Sequence, residues 1–97
     1  RPAAKRDLAL QFAWYAENAS LEVASRFLRA TQETLEFLST MPHVGPVKVT
    51  EGRLAGARIW RVSGFETILI LYRPIERGIA VERPIHAKRD YRSTARN

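Results

Sequence analysis

A histidine, three charged residues and a tyrosine lie close together near the end of the sequence, in the stretch PIHAKRDY at residues 84–91. His86 could act as a general acid or base, while Lys88 and Arg89 could stabilise the charge of a phosphorane-like transition state, as in metal-free RNA cleavage. In the alternative interpretation, which we favour, Asp90 pairs with an arginine and His86 donates a hydrogen bond to a backbone carbonyl. If the chain is a nuclease, His86, Arg89 and Tyr91 are the candidate catalytic residues.

Other kinds of catalytic site are excluded or unsupported by the sequence. The chain has no cysteine, so thiolate metal sites, cysteine nucleophiles and disulfides are excluded. His43 stands alone in a loop, without companion residues at metal-site spacing. There is also no glycine-rich phosphate loop and no serine nucleophile motif. We therefore expect neither a cofactor nor a metal ion.

The positive charge is concentrated in the C-terminal half. Residues 1–48 contain six Lys or Arg and five Asp or Glu, whereas residues 49–97 contain ten and five, so the net charge of +6 divides into +1 and +5. This excess favours a polyanionic partner, which could be a nucleic acid or an acidic protein segment. A basic surface with no specific partner is the simpler alternative.

A partner-binding surface is expected on the predicted sheet, where basic and aromatic residues are interleaved. Such a surface could stack bases and neutralise phosphates, or it could accept an acidic peptide. Tryptophans are nevertheless more often core or interface anchors. The candidate partner-binding residues are Arg58, Trp60, Arg61, Tyr72, Arg73, Arg83 and Arg89.

Two helices are predicted before this basic half. Residues 2–18 combine strong helix formers with apolar residues at helical spacing, and residues 21–41 form a second amphipathic helix that Ser20 caps and Pro42 ends. The connection is so short that the helices must form an antiparallel hairpin. The apolar stripe of the second helix consists of Ala24, Phe27, Leu28, Thr31, Leu35 and Leu38.

Strand-like alternation begins after a Pro- and Gly-rich loop at residues 42–56. Three strands are predicted at residues 57–63, 65–73 and 78–86, in the last of which Ile79, Val81, Arg83 and Ile85 are expected to share one face. The fold class is therefore α+β, with an antiparallel helical hairpin packed on a three- to four-stranded antiparallel β-sheet. We expect one domain over residues 1–97, comprising the hairpin at 2–41, a β-meander at 57–86 and a polar tail at 87–97.

The order of these elements and two local motifs resemble the ParE/RelE superfamily of bacterial type II toxins. In that superfamily, a G-x-Y-x-I-x-Y-R strand precedes a strand with an R-V-x-H-x-x-R-D ending. Here Ile70, Tyr72 and Arg73 match the first motif, with Gly64 two residues before the motif's glycine position, and Arg83, His86, Arg89 and Asp90 match the second. The chain departs from the motifs at Ile68 and Pro84. Relatives also begin with a short strand, which we expect to be absent or truncated here because the sequence starts at Arg1, so that the sheet has three strands rather than four.

No apolar run approaches the ~20 residues needed to cross a bilayer and no signal segment opens the sequence, so we expect a cytoplasmic protein with no membrane partner. The resemblance implies a toxin with one of two activities. Members similar to ParE poison DNA gyrase, whereas members similar to RelE are ribosome-dependent endoribonucleases that cleave messenger RNA. The H-x-x-R-D ending and the long hairpin are more similar to ParE, so the resemblance favours a gyrase inhibitor rather than an enzyme. The ribonuclease is the first alternative, and an inactive or otherwise repurposed toxin is the second. The resemblance also implies a small cognate antitoxin, which we expect to bind the toxin through an acidic segment.

Overall fold

A computed structural model describes residues 2–86 of the chain. It begins with helix α1 at Pro2–Asn18 and helix α2 at Leu21–Thr40. The side chain of Ser20 accepts a hydrogen bond from the Val23 backbone N–H at 3.0 Å, so it caps α2 as its sequence position predicts. The two-residue connection returns the chain on itself, which confirms the predicted helical hairpin.

One side of α2 supplies much of the protein core. Phe27 and Leu38 are completely buried, whereas Leu28, which the sequence placed in the same stripe, is 43% exposed. The ring of Phe27 lies 5.1 Å from that of Tyr15 on α1 and 5.2 Å from that of Phe65 in the sheet. This aromatic cluster joins both helices to the sheet. The buried residues of α2 are Ala24, Phe27, Ala30, Thr31, Thr34 and Leu38.

The sheet is a three-stranded antiparallel meander with the spatial order β1-β2-β3. Its strands are β1 at Arg58–Val62, β2 at Phe65–Ile75 and β3 at Gly78–His86. The predicted α+β architecture is therefore confirmed, with three strands in the described part of the chain.

The central strand β2 is buried on both of its faces. Alternate residues Ile68 and Ile70 pack into the core cluster that contains Phe27, while Leu69 and Leu71 belong to a second apolar cluster. Val49, Ala57 and Ile85 complete the second cluster, with Leu54 and Ile59 packed against it. The loop that follows α2 thus covers the sheet face opposite the helices.

A β-bulge in β3 changes the predicted arrangement of its faces. Leu71 pairs with Arg83 while the next residue, Tyr72, pairs with Val81, so Glu82 is an extra residue in β3. The extra residue shifts the in-and-out alternation of side chains, so residues two or four apart across the bulge no longer share a face. Val81 packs against the helix-side core and Ile85 belongs to the second cluster, so the expectation that both share one face is wrong.

Candidate functional site

The outer edge of β1 forms the first candidate surface, which we call the β1-edge surface. Trp60 packs against Phe37 of α2, with ring centroids 5.7 Å apart and an angle of 33° between the rings. Phe37 is 39% exposed although it is a large apolar residue. Trp60 is half-buried against the helix-side core. A partly exposed aromatic pair at a sheet edge is typical of a protein-binding surface.

A groove of about 770 Å³ lies beside this aromatic pair. Two of its lining residues, Arg61 and Glu66, form an ion pair with Nη1 and Oε2 3.9 Å apart, but their side chains are 69% and 78% exposed. Such an exposed ion pair contributes little stability, so Arg61 can exchange Glu66 for a partner at small cost. The groove is lined by Pro46, Lys48, Ile59, Trp60, Arg61, Glu66 and Leu69.

Arg58 lies on the same strand but has a structural contact. Its Nη1 atom donates hydrogen bonds to the carbonyl oxygens of His43 at 3.0 Å and Gly45 at 2.7 Å. These bonds tie the loop after α2 to β1. Arg58 therefore positions the loop beside the groove, and its guanidinium group is less available to a partner than that of Arg61.

Tyr72 is not part of any surface, and the expectation that it is interleaved with surface arginines is wrong. Its side chain is completely buried in the helix-side core. The hydroxyl donates a hydrogen bond to the Pro42 carbonyl at 2.9 Å and accepts one from the Gly45 N–H at 3.0 Å. Tyr72 is buried because the helices cover one face of β2, and its polar atom is satisfied by the loop.

Arg73 lies on β2 and Arg83 on β3, and both are away from the β1-edge surface. Arg73 Nε donates to Glu82 Oε2 at 2.7 Å, and Arg83 Nε lies 3.9 Å from Asp7 Oδ2 of α1. The single basic surface expected from the sequence is therefore two separate regions, one at the outer edge of β1 and one beside β2 and β3. Arg6 and Arg53 line the second region, and nothing in their local sequence indicates that they meet there.

The candidate nuclease residues lie at or beyond the end of the described chain. His86 is the last residue of β3, where its backbone pairs with Ile68 of β2. Arg89 and Tyr91, and with them the proposed roles of Lys88 and Asp90, lie outside the described residues. The predicted catalytic set and the partner-binding role of Arg89 therefore remain predictions.

Within residues 2–86, no three His, Cys, Asp or Glu side chains are grouped so that they could hold a metal ion.

Burial raises the pKa of Tyr15 above its ordinary value of 10.0, because desolvation disfavours the phenolate. In the same part of the chain, neither helix is long and apolar enough to cross a membrane.

The sequence was also compared with models of known protein families. Residues 1–91 match the family described as the ParE toxin of the type II toxin-antitoxin system parDE. The chain belongs to this ParE toxin family. No curated protein sequence matches it.

Membership of the ParE family makes the protein a toxin component of a type II toxin-antitoxin system, and it implies an antitoxin partner. The predicted resemblance is thus confirmed at the level of the family and of the fold. The match includes His86, Arg89 and Tyr91 as well as both candidate surfaces, so it does not distinguish among them.

Proposed function

We propose that this ParE-family toxin poisons DNA gyrase by binding it, and that the β1-edge surface makes the contact. The observation that carries the proposal is the aromatic pair of half-buried Trp60 and exposed Phe37, flanked by the exposed side chain of Arg61. Tryptophan and arginine are enriched among the residues that dominate protein–protein binding energies. A surface of this kind acts by binding a partner and needs no acid–base pair.

The test is the supercoiling of relaxed plasmid by DNA gyrase in the presence of increasing amounts of the toxin. Detergent is then added to trap DNA in the cleaved state. We expect loss of supercoiling together with accumulation of linear DNA, because a poison stabilises the cleaved complex. A protein that is folded by circular dichroism and has no effect on gyrase would overturn the proposal.

A second assay separates this function from messenger RNA cleavage. Translating ribosomes are incubated with the toxin, and the messenger is examined for new ends. We expect intact messenger, and we expect His86→Gln to retain gyrase inhibition because His86 has no catalytic role in this proposal. Ribosome-dependent cleavage that His86→Gln abolishes would instead support the nuclease, with Arg89 and Tyr91 as the next residues to change.

We further propose that the cognate antitoxin binds through an acidic segment. The proposal is supported by the charge of +5 on residues 49–97. Attraction between opposite charges accelerates encounter and is screened by salt, so raising the salt concentration should slow association much more than dissociation. An association rate that does not depend on salt would contradict this electrostatic steering.

A further inference from the structure

A second, more basic region lies between α1, the loop before β1 and the β2–β3 pair; we call it the arginine pocket. It is an open pocket of about 520 Å³. Four guanidinium groups and two carboxylates line it, which leaves a net charge of +2. Its lining residues are Arg6, Asp7, Arg53, Leu54, Arg73, Glu82 and Arg83. We propose that the arginine pocket binds a phosphate group.

The two carboxylates do not neutralise the pocket. Glu82 Oε2 accepts a hydrogen bond from Arg73 Nε at 2.7 Å, and the Glu82 side chain is only 11% exposed, so this carboxylate is held against Arg73. Asp7 lies 3.9 Å from Arg83 Nε, which is too far for a hydrogen bond. Positive charge from the remaining arginines therefore faces the open space.

Arg83 presents a donor that the protein itself leaves unused. Its Nε atom is buried and donates no hydrogen bond to any residue of the described chain. Buried N–H groups nearly always have an acceptor, since an unsatisfied donor is costly. Because the Nε atom itself is closed to solvent while 43% of the Arg83 side chain is exposed, a ligand oxygen supplies that acceptor once the side chain turns its Nε towards the pocket. The charged donor then makes the bond stronger than a neutral one.

Arg6 and Arg53 supply further donors from two other elements. Both are exposed, and neither forms an ion pair or a hydrogen bond with a residue in the range 2–86. Arg6 is a residue of α1. Arg53 belongs to the loop before β1, which is held in place because Leu54 packs against the second apolar cluster. With Arg73 of β2 and Arg83 of β3, guanidinium groups from four separate elements thus meet at one pocket.

This arrangement fits a phosphate better than a carboxylate. A phosphate group offers at least three acceptor oxygens in a tetrahedral arrangement, and planar guanidinium groups bind such oxygens in pairs. A phosphate monoester dianion also matches the net charge of +2. A carboxylate has two coplanar oxygens, which cannot face donors from α1, the loop and β3 equally well.

The test is a titration of the purified toxin with pyrophosphate, followed by calorimetry and by NMR of the arginine Nε–Hε groups. We expect saturable binding and a shift of the Arg83 resonance. In the variant Arg6→Gln/Arg53→Gln, affinity should fall by about tenfold or more, because two charge-assisted contacts are lost. The matched control is Arg26→Gln/Arg29→Gln, which removes the same charge from exposed positions on α2.

The control should lose no more than about twofold, because long-range attraction between exposed charges is weak and screened. The absence of saturable pyrophosphate binding by the wild-type protein would overturn the proposal. An equal loss in both double variants would also overturn it, since binding would then reflect overall charge and not this pocket.

The source of the phosphate is addressed by a parallel titration with a short single-stranded DNA oligonucleotide. If the pocket receives a nucleic-acid backbone, the oligonucleotide binds more tightly than pyrophosphate, and Arg6→Gln/Arg53→Gln weakens both. If it receives a free phosphate compound, pyrophosphate binds at least as tightly. Both results support a phosphate site, and neither involves gyrase, so they are independent of the outcome of the supercoiling assay.

Discussion

The hydroxyl group of Tyr72 accepts a hydrogen bond from the backbone N–H of Gly45 at 3.0 Å, which joins the central strand to the loop after α2. The same hydroxyl donates to the Pro42 carbonyl at 2.9 Å. Arg58 reinforces the connection through its bonds to the His43 and Gly45 carbonyls. The loop that borders the β1-edge surface is therefore held by two strands, and its geometry depends on a residue in the core.

Replacing Tyr72 with phenylalanine should lower the free energy of unfolding by about 1 to 3 kcal/mol, because the buried Gly45 N–H loses its acceptor. Urea denaturation followed by circular dichroism measures the effect. Tyr15→Phe is the matched control, since the Tyr15 hydroxyl makes no hydrogen bond to another residue in the range 2–86. Equal losses in the two variants would show that the Tyr72 bonds contribute nothing specific.

Gly45→Ala should destabilise the protein by about 1 to 3 kcal/mol or more, because there is no space for a side chain. A Cβ atom at this position would lie 2.5 Å from the Ile59 carbonyl oxygen and 2.7 Å from the Tyr72 hydroxyl. The comparison is Gly64→Ala, where the added atom meets nothing within 4 Å and only the positive φ of 80° opposes it. Thermal unfolding that shows Gly45→Ala to be the milder change would contradict the packing around Tyr72.

Phe27→Ala should cost about 3 to 5 kcal/mol in the free energy of unfolding, since Phe27 is completely buried and contacts aromatic rings from α1 and the sheet. Leu28→Ala on the same helix should cost less than about 1 kcal/mol, because Leu28 remains 43% exposed. Chemical denaturation of both variants tests which side of α2 faces the core. A larger loss for Leu28→Ala would mean that the helix is rotated.

The burial of Tyr15 predicts a loss of stability at alkaline pH. Because its pKa is raised in the folded protein, the unfolded chain releases this proton at a lower pH, near 10.0. The unfolded state then binds fewer protons than the folded state, so the free energy of unfolding falls as the pH rises above 10.0. Urea midpoints measured across this range should fall less steeply for Tyr15→Phe. Parallel curves for the two proteins would remove Tyr15 as the cause.

Arg61→Ala should weaken gyrase inhibition by roughly tenfold with little change in stability, if the β1-edge surface is the contact. The stability should hold because Arg61 is exposed and its 3.9 Å pair with Glu66 contributes little. Arg29→Ala, at an exposed position of α2, is the matched control for loss of one charge. The concentration of toxin that halves supercoiling measures both effects, and equal inhibition by the two variants would place the contact elsewhere.

The type and order of the elements were readable from the sequence because they depend on local periodicity. Ser20 caps α2, the connection between the helices is too short for any arrangement but a hairpin, and period-two alternation marks each strand. The motifs around Gly64 and His86 are short local patterns of the same kind, and they were sufficient to indicate the toxin family. The strand that carries Trp60 and Arg61 followed from the same local pattern, whereas its position at the sheet edge comes from the strand order.

The positions of individual side chains needed the tertiary structure, since they depend on contacts between distant segments. Val81 and Ile85 are four residues apart, so strict alternation along the sequence places them on the same face of β3. The extra residue at Glu82, which separates their faces, is visible only when β3 is paired with β2. The loop before β1 covers the second face of β2, and this removes Leu69 and Leu71 from solvent although no local pattern predicts such a cover.

The sequence by itself determined an α+β toxin fold and a basic C-terminal half. Only the tertiary structure divided that positive charge between the β1-edge surface and the arginine pocket. Arg6 and Arg53 meet Arg73 and Arg83 because α1 and the loop pack beside the β2–β3 pair. Composition gives the sum of the charges, whereas binding depends on where their side chains converge, and that is set by the packing of elements far apart in the chain.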